Sequence, residues 1–200
     1  MKAGSPLTHA AVLGLFCLGF GIVLAVTHLV TADAIQQRTE DDKQKSLTQV
    51  IPAGLHDNNP LADVLTVPGA DGKAVTVFRA TREHRVTAVA YEIEGNGYAG
   101  EIRLMLGLDA EGRILGVRVL QHKETPGLGD KIEPAKSDWI TRFTGLSLGA
   151  PPVEKWKVDK DGGVFDHFSG ATITPRGVVA AIRNGLEFFS AHQAQLLEVR

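Results

Sequence analysis

Two short segments of this chain carry side chains at spacings that suit chemistry. The first is Asp166-His167-Phe168-Ser169-Gly170-Ala171-Thr172-Ile173-Thr174-Pro175. It gathers the hydroxyls of Ser169, Thr172 and Thr174 among small residues, which let another group approach the backbone closely. Thr174 before Pro175 reads as a helix N-cap followed by the first helical position. A helix start offers unpaired N–H groups and a positive dipole end, so a phosphate is a natural occupant. The second segment, Glu124-Thr125-Pro126-Gly127-Leu128-Gly129, is a Pro-Gly turn carrying a carboxylate, a hydroxyl and an apolar side chain. By residue type alone the first segment also reads as a capping loop, and the second as an ordinary turn. A third reading makes Thr172 or Ser169 a nucleophile and His167 its base, as in a hydrolase or transferase. Sequence neighbours rarely have the mutual geometry this needs, and no G-x-S-x-G elbow is present.

The pattern Asp-x-x-Ser-Gly-Ala-Thr over Asp166–Thr172 resembles the flavinylation motif of the FMN-binding domain family. In that family the last threonine carries FMN through a phosphoester. The resemblance therefore implies one covalent FMN on Thr172, with Asp166, Ser169, Gly170 and Ala171 as the rest of the recognition pattern and Thr174 as the second choice. The run from His122 to Glu133, then Ser137–Ile140, Lys160–Gly163 and Ser169–Pro175, is similar to the G subunits (RnfG, also RsxG) of the Rnf ion-translocating electron-transport complex. The C subunits of sodium-pumping quinone reductases (NqrC) share both motifs and are the alternative; this chain is short for them. A cofactor-free membrane scaffold is a further reading, separated from the others by visible absorbance.

The resemblance implies that the 124–129 loop lies against the isoalloxazine ring, through Thr125, Gly127 and Leu128. Glu124 belongs to the same set, with a structural carboxylate as its other reading. The implied role is one-electron relay in a translocase that exchanges electrons between NADH and ferredoxin and couples this to ion movement. The implied partners are RnfA, RnfB, RnfC, RnfD and RnfE, together with a separate flavin transferase that uses FAD as donor. The implied location is the bacterial inner membrane, single-pass, with the soluble domain on the periplasmic side.

Composition bounds these readings. The 200 residues are 44% hydrophobic with a formal net charge of −2, so nothing points to nucleic acid. Cys17 is the single cysteine, which leaves no intrachain disulfide and no cysteine-based metal site. No spaced His, Asp or Glu set suggests a metal; His56 beside Asp57 and Asn58 reads as a solvated loop. Between Lys2 and Asp33 there is no charged residue apart from histidines. About 20 apolar residues cross a bilayer, so roughly Leu7 to Val30 reads as a membrane anchor. Ala32-Asp33-Ala34 offers a cleavage-like site, but the apolar run exceeds the span usual for a signal peptide.

The elements that must position these motifs follow from periodicity. The expected fold class is α+β: an antiparallel sheet packed by helices, with one N-terminal transmembrane helix. The expected domains are an anchor at 1–32, a helical stalk at 33–52 ended by Ile51-Pro52, and an FMN-binding domain at 53–200. Strands are expected at Ala74–Ala80, Val86–Ile93, Ile102–Leu108 and Ile114–Leu120. The glycine-dense link 95–100 and a turn at Asp109–Gly112 separate the later ones. A short helix is expected at Trp139–Phe143 and a last strand at Trp156–Val158. From Val178 to Leu197 apolar residues recur at helical spacing and should pack on the sheet.

Overall fold

The computed structural model of the chain describes residues 6–69 and 72–198, and for residues 33–43 the backbone alone. The chain divides after Lys43 into two units. The first helix, α1, runs from Pro6 to Val50 and contributes to both.

In the first unit, Pro6–Ala32 is 27 residues long with a mean hydropathy of 2.4, and its large apolar side chains are exposed. At 1.5 Å per residue this stretch is about 40 Å long, enough to cross the roughly 30 Å hydrocarbon layer. An exposed apolar helix of this length finds its solvent in lipid, and it is the one such helix among the described residues, consistent with a single-pass topology.

The second unit is built on five antiparallel strands in sequence order: β1 (Val64–Pro68), β2 (Ala74–Arg82), β3 (Arg85–Asn96), β4 (Glu101–Asp109) and β5 (Ile114–Gln121). Such a meander needs only short links, and they are present. Glu83 and His84 turn β2 into β3 with positive φ, and Gly112 at φ 80° turns β4 into β5. Alternation splits the strands between two faces. Val89, Tyr91 and Ile93 of β3, with Ile102, Leu104, Leu106 and Leu108 of β4, belong to the main core. Ala88 and Ala90 of β3 and Met105 of β4 belong to the opposite face.

Helix α2 (Ile173–Leu196) covers the main-core face with Val178, Val179, Ile182, Leu186 and Phe189. Tyr91 reaches through this interface to donate its phenol to the carbonyl of Gly185 at 2.8 Å, and burial pushes its pKa well above the ordinary tyrosine value. On the other face the final turns of α1 seat Leu47, Val50 and Ile51 among the small strand residues. Gly107 and Gly116 face each other across β4 and β5. A Cβ on Gly107 would lie 2.4 Å from the Val50 carbonyl oxygen, so a glycine pair forms the seat.

Two expectations are corrected. Trp156–Val158 is not a strand: Val158 makes one isolated bridge to Phe165, and Trp156 is instead buried in an aromatic cluster. The strand β1 was not expected. It is a short edge strand ending in a proline, yet it buries Leu65 and Val67 by strict alternation. The 3-10 turn at Trp139–Phe143 lies where a short helix was expected.

Candidate functional site

The first motif is pinned by an aromatic cluster. Phe168 is buried with its ring centroid 5.1 Å from that of Trp139, and Trp139 lies 5.1 Å from Phe143. The Trp139 indole N–H donates to the carbonyl of Asp166 at 2.9 Å. Arg142, on the same 3-10 turn, donates to the Asp166 carboxylate at 2.5 Å and to Asp138 at 3.3 Å. Its pKa is raised, first by the Asp138 contact and then by Asp166. The motif thus begins on a fixed support, contributed by Trp139 and Arg142, 27 and 24 positions before Asp166, which spacing alone does not reveal.

Past Phe168 the chain turns. The Ala171 N–H donates to the Phe168 carbonyl at 3.0 Å, and Gly170, the third residue of the turn, has φ 82°. That is the position where a type II turn requires the left-handed region, so Gly170 is needed here. Ser169 and Gly170 are exposed, and Ala171 and Thr172 half-buried. Thr172 then caps α2: its carbonyl accepts the Arg176 N–H at 3.3 Å, but its side chain makes no capping bond. The expected cap, Thr174, is displaced into the first turn. Helix α2 starts at Ile173, and Pro175 is tolerated because first-turn N–H groups have no helical partner to lose.

Thr174 is fully buried, and its hydroxyl donates to Oε2 of Glu124. The other oxygen of that carboxylate, Oε1, accepts the backbone N–H of Ala99 at 2.9 Å. Glu124 therefore faces inward and ties three segments together: the 97–100 turn, its own loop and the start of α2. Glycines make the slot. A Cβ on Gly97 would lie 2.4 Å from Oε1, and one on Gly129 would lie 2.7 Å from Oε2. Behind Glu124, its own N–H donates to His122 Nδ1 at 3.1 Å, while His122 Nε2 is 2.8 Å from Glu133.

The middle of the second motif, Thr125 to Leu128, faces outward. The N–H groups of Leu128 and Gly129 both donate to the Thr125 carbonyl, at 3.1 and 3.2 Å, and Gly127 has φ 79°. Thr125, Gly127 and Leu128 are exposed. Leu128 Cδ2 lies 3.6 Å from where a Cβ on Gly170 would be, so the two motifs, far apart in sequence, meet here.

Charge surrounds the motif rather than filling it. The His167 ring Nδ1 is 2.8 Å from Asp159, whose pKa is lowered chiefly by that contact. Among the described hydrogen bonds the ring does not reach Ser169 or Thr172, so the geometry of a nucleophile and its base is not formed. Arg176 donates twice to Asp161, at 2.5 and 2.6 Å, which lowers the Asp161 pKa and raises its own. Arg142, Arg176 and the 97–100 turn are parts of the site that motif reading missed. Only the glycine density of 95–100 signalled any of them.

The family model "FMN-binding domain" matches residues 97–187, and the model "RnfG N-terminal region" matches residues 1–50. The chain is 53% identical over 193 residues to the G subunit of the ion-translocating oxidoreductase complex of Cereibacter sphaeroides, covering 96% of this chain and 88% of that one. It is 48% identical to the corresponding G subunit of Stutzerimonas stutzeri (90% and 79% covered) and 46% identical to that of Vibrio cholerae (90% and 88% covered). Among solved structures, the C subunit of the Na(+)-translocating NADH-quinone reductase of Parabacteroides distasonis shares the fold at TM-score 0.54 and 19% identity, covering 84% of this chain and 98% of that one. With both family models matched in order and identities of this size across nearly the full length, the chain belongs to the RnfG family, the G subunits of ion-translocating oxidoreductase complexes, which carries an FMN-binding domain.

Proposed function

We propose that the chain is a membrane-anchored electron carrier of an Rnf-type complex, with FMN esterified through its phosphate to Thr172. The observation that carries this assignment is the contrast between two threonines two residues apart. Thr174 is fully buried, with its hydroxyl committed to Glu124, whereas Thr172 is half-buried at the helix start and makes no capping bond with its side chain. A phosphodiester at Thr172 would meet the N-terminal end of α2, where negative charge is favoured. The site also fits the rest of the group: an open left-handed glycine beside the threonine, and an exposed Leu128 over that glycine.

In the attachment reaction the Thr172 hydroxyl takes the FMN phosphoryl group from FAD. A P–O ester bond forms, the pyrophosphate P–O bond breaks, and AMP leaves with the hydroxyl proton. A separate flavin transferase supplies the catalysis. Asp166, held by Arg142, Ser169, Gly170 and Ala171 form the segment it recognises. When bound, the flavin supplies the redox chemistry, and the protein tunes it by contacts to the ring. Thr125, Gly127 and Leu128 are the ring-side residues, and Glu124 braces the loop that presents them.

Residues 1–32 serve as the anchor, and 33–52 as a helical stalk whose last turn docks on the sheet. Residues 53–200 form the flavin domain on the periplasmic side. A tethered cofactor suits that compartment, where a freely dissociating one would be lost. The partners are the remaining subunits, RnfA, RnfB, RnfC, RnfD and RnfE, and the complex couples electron exchange between NADH and ferredoxin to ion movement. The test is in-gel flavin fluorescence after denaturation, from cells that also express the transferase. The band should be present in wild type and absent in Thr172→Ala; a fluorescent Thr172→Ala band would refute the assignment.

A further inference from the structure

Among the described residues beyond α1, the large apolar side chains left exposed are Val64, Tyr98, Leu128, Val153, Val164 and Ile173. Three of these belong to segments that meet at one buried carboxylate. Tyr98 immediately precedes Ala99, whose N–H donates to Glu124 Oε1 at 2.9 Å. Ile173 immediately precedes Thr174, whose hydroxyl donates to Oε2. Leu128 sits on the loop that Glu124 begins, against Gly170. A carboxylate only 6% exposed thus holds the residue after Tyr98 and the residue after Ile173, and packs against Gly129 after Leu128.

Tyr98 is 72% exposed, the most of the six. Its turn is not loose: the Gly97 N–H donates to the Gly100 carbonyl at 2.8 Å, and Gly97 is packed against Glu124 too tightly to admit a side chain. A rigid turn that presents a bare aromatic ring to solvent leaves a large apolar surface uncovered. Aromatic side chains gain most when another flat ring lies against them.

We infer that Tyr98 is the far wall of an apolar cradle, completed by Leu128 and Ile173, that receives the ring of the flavin tethered at Thr172. This rests on the reading of Thr172 as the attachment residue. Tyr98 is then a positioning residue for the ring, not for the bond. A tyrosine in van der Waals contact with a flavin quenches its emission by donating an electron to the excited ring. The native fluorescence therefore reads the contact directly, independently of turnover.

The experiment compares wild type, Tyr98→Ala and Tyr98→Leu as full-length chains, co-expressed with the flavin transferase and purified in detergent. Intact mass reports attachment, and flavin emission is recorded before and after denaturation. The expected result is the full FMN mass in all three, with native emission severalfold higher in both variants and equal emission once denatured. The leucine variant keeps an apolar wall, so its gain isolates loss of the aromatic contact. Unchanged native emission in either variant at full FMN mass overturns the inference. Loss of attachment in a folded variant also overturns it, because Tyr98 would then belong to the transferase's recognition surface. A wild-type chain without the FMN mass removes the Thr172 reading itself, and is told apart by the mass alone.

Discussion

The hydroxyl of Thr174 donates to Oε2 of Glu124, joining the start of α2 to a loop fifty residues earlier. Both partners are buried, so the bond is shielded from water and neither group has a solvent alternative. Thr174→Val keeps the shape and leaves a buried carboxylate oxygen unpaired. The expected cost is about 1–3 kcal/mol in urea unfolding, with flavin attachment at Thr172 retained. Glu124→Ala should cost more than Glu124→Gln, whose amide still meets the Thr174 hydroxyl and the Ala99 N–H with one group each. Equal stability of all three variants and wild type would remove Glu124 as the brace.

The seat for α1 is tested separately. Gly107→Ala drives a methyl into the Val50 carbonyl and should cost about 1–3 kcal/mol by overpacking. A fragment of residues 33–200 should be soluble and stable. A fragment of 53–200 loses Leu47, Val50 and Ile51, each worth about 1.5–3 kcal/mol when buried, and should unfold at clearly lower urea. Matching midpoints for the two fragments would show that the helix end is dispensable.

Much of this architecture is written in short-range pattern. Strands β2 to β5 declare themselves through alternation broken by turn residues such as Asp109–Gly112, and α2 through its helical period. The two motifs are local strings, readable without a fold. What the sequence conceals is long-range. The motif string singles out Thr172, but nothing local shows that Thr174 is buried and committed, because its partner Glu124 lies fifty positions away. The Thr-Pro pair looked like a helix start, yet the turn closed by Gly170 lets α2 begin two residues sooner. Trp156 to Val158 has strand-like residues, but among the described residues Val158 pairs only through its single bridge to Phe165, and the tryptophan goes to the aromatic cluster instead.

Leu128→Ala removes the apolar side chain that lies over Gly170 while leaving the backbone of the 125–129 turn intact. The covalent bond should persist, and the flavin midpoint potential should shift measurably in a spectroelectrochemical titration. An unchanged potential would discard Leu128 as a ring-side residue.

Acid should loosen the link between the 159–161 turn and α2. The Asp161 pKa is lowered, first by its hydrogen bonds to Arg176. A carboxylate with a lowered folded-state pKa adds stability above its unfolded value, and that stability is lost as pH falls through the folded one. The pair is solvent-exposed, so the effect is small and screened by salt. Carbon-detected NMR titration should give midpoints for Asp161 and Asp159 below the ordinary aspartate range. Arg176→Gln should return Asp161 toward that range and leave Asp159 in place, since the main cause there is His167. An Asp161 midpoint unmoved by Arg176→Gln would contradict the pairing.

The central claim is that Thr172 bears the flavin, and intact-mass spectrometry of the chain purified from cells expressing the transferase tests it most directly. Wild type and Thr174→Val should both weigh the polypeptide plus one FMN less one water, and Thr172→Ala the polypeptide alone. A wild-type chain at bare polypeptide mass, or a Thr172→Ala chain that still carries the added mass, would contradict it.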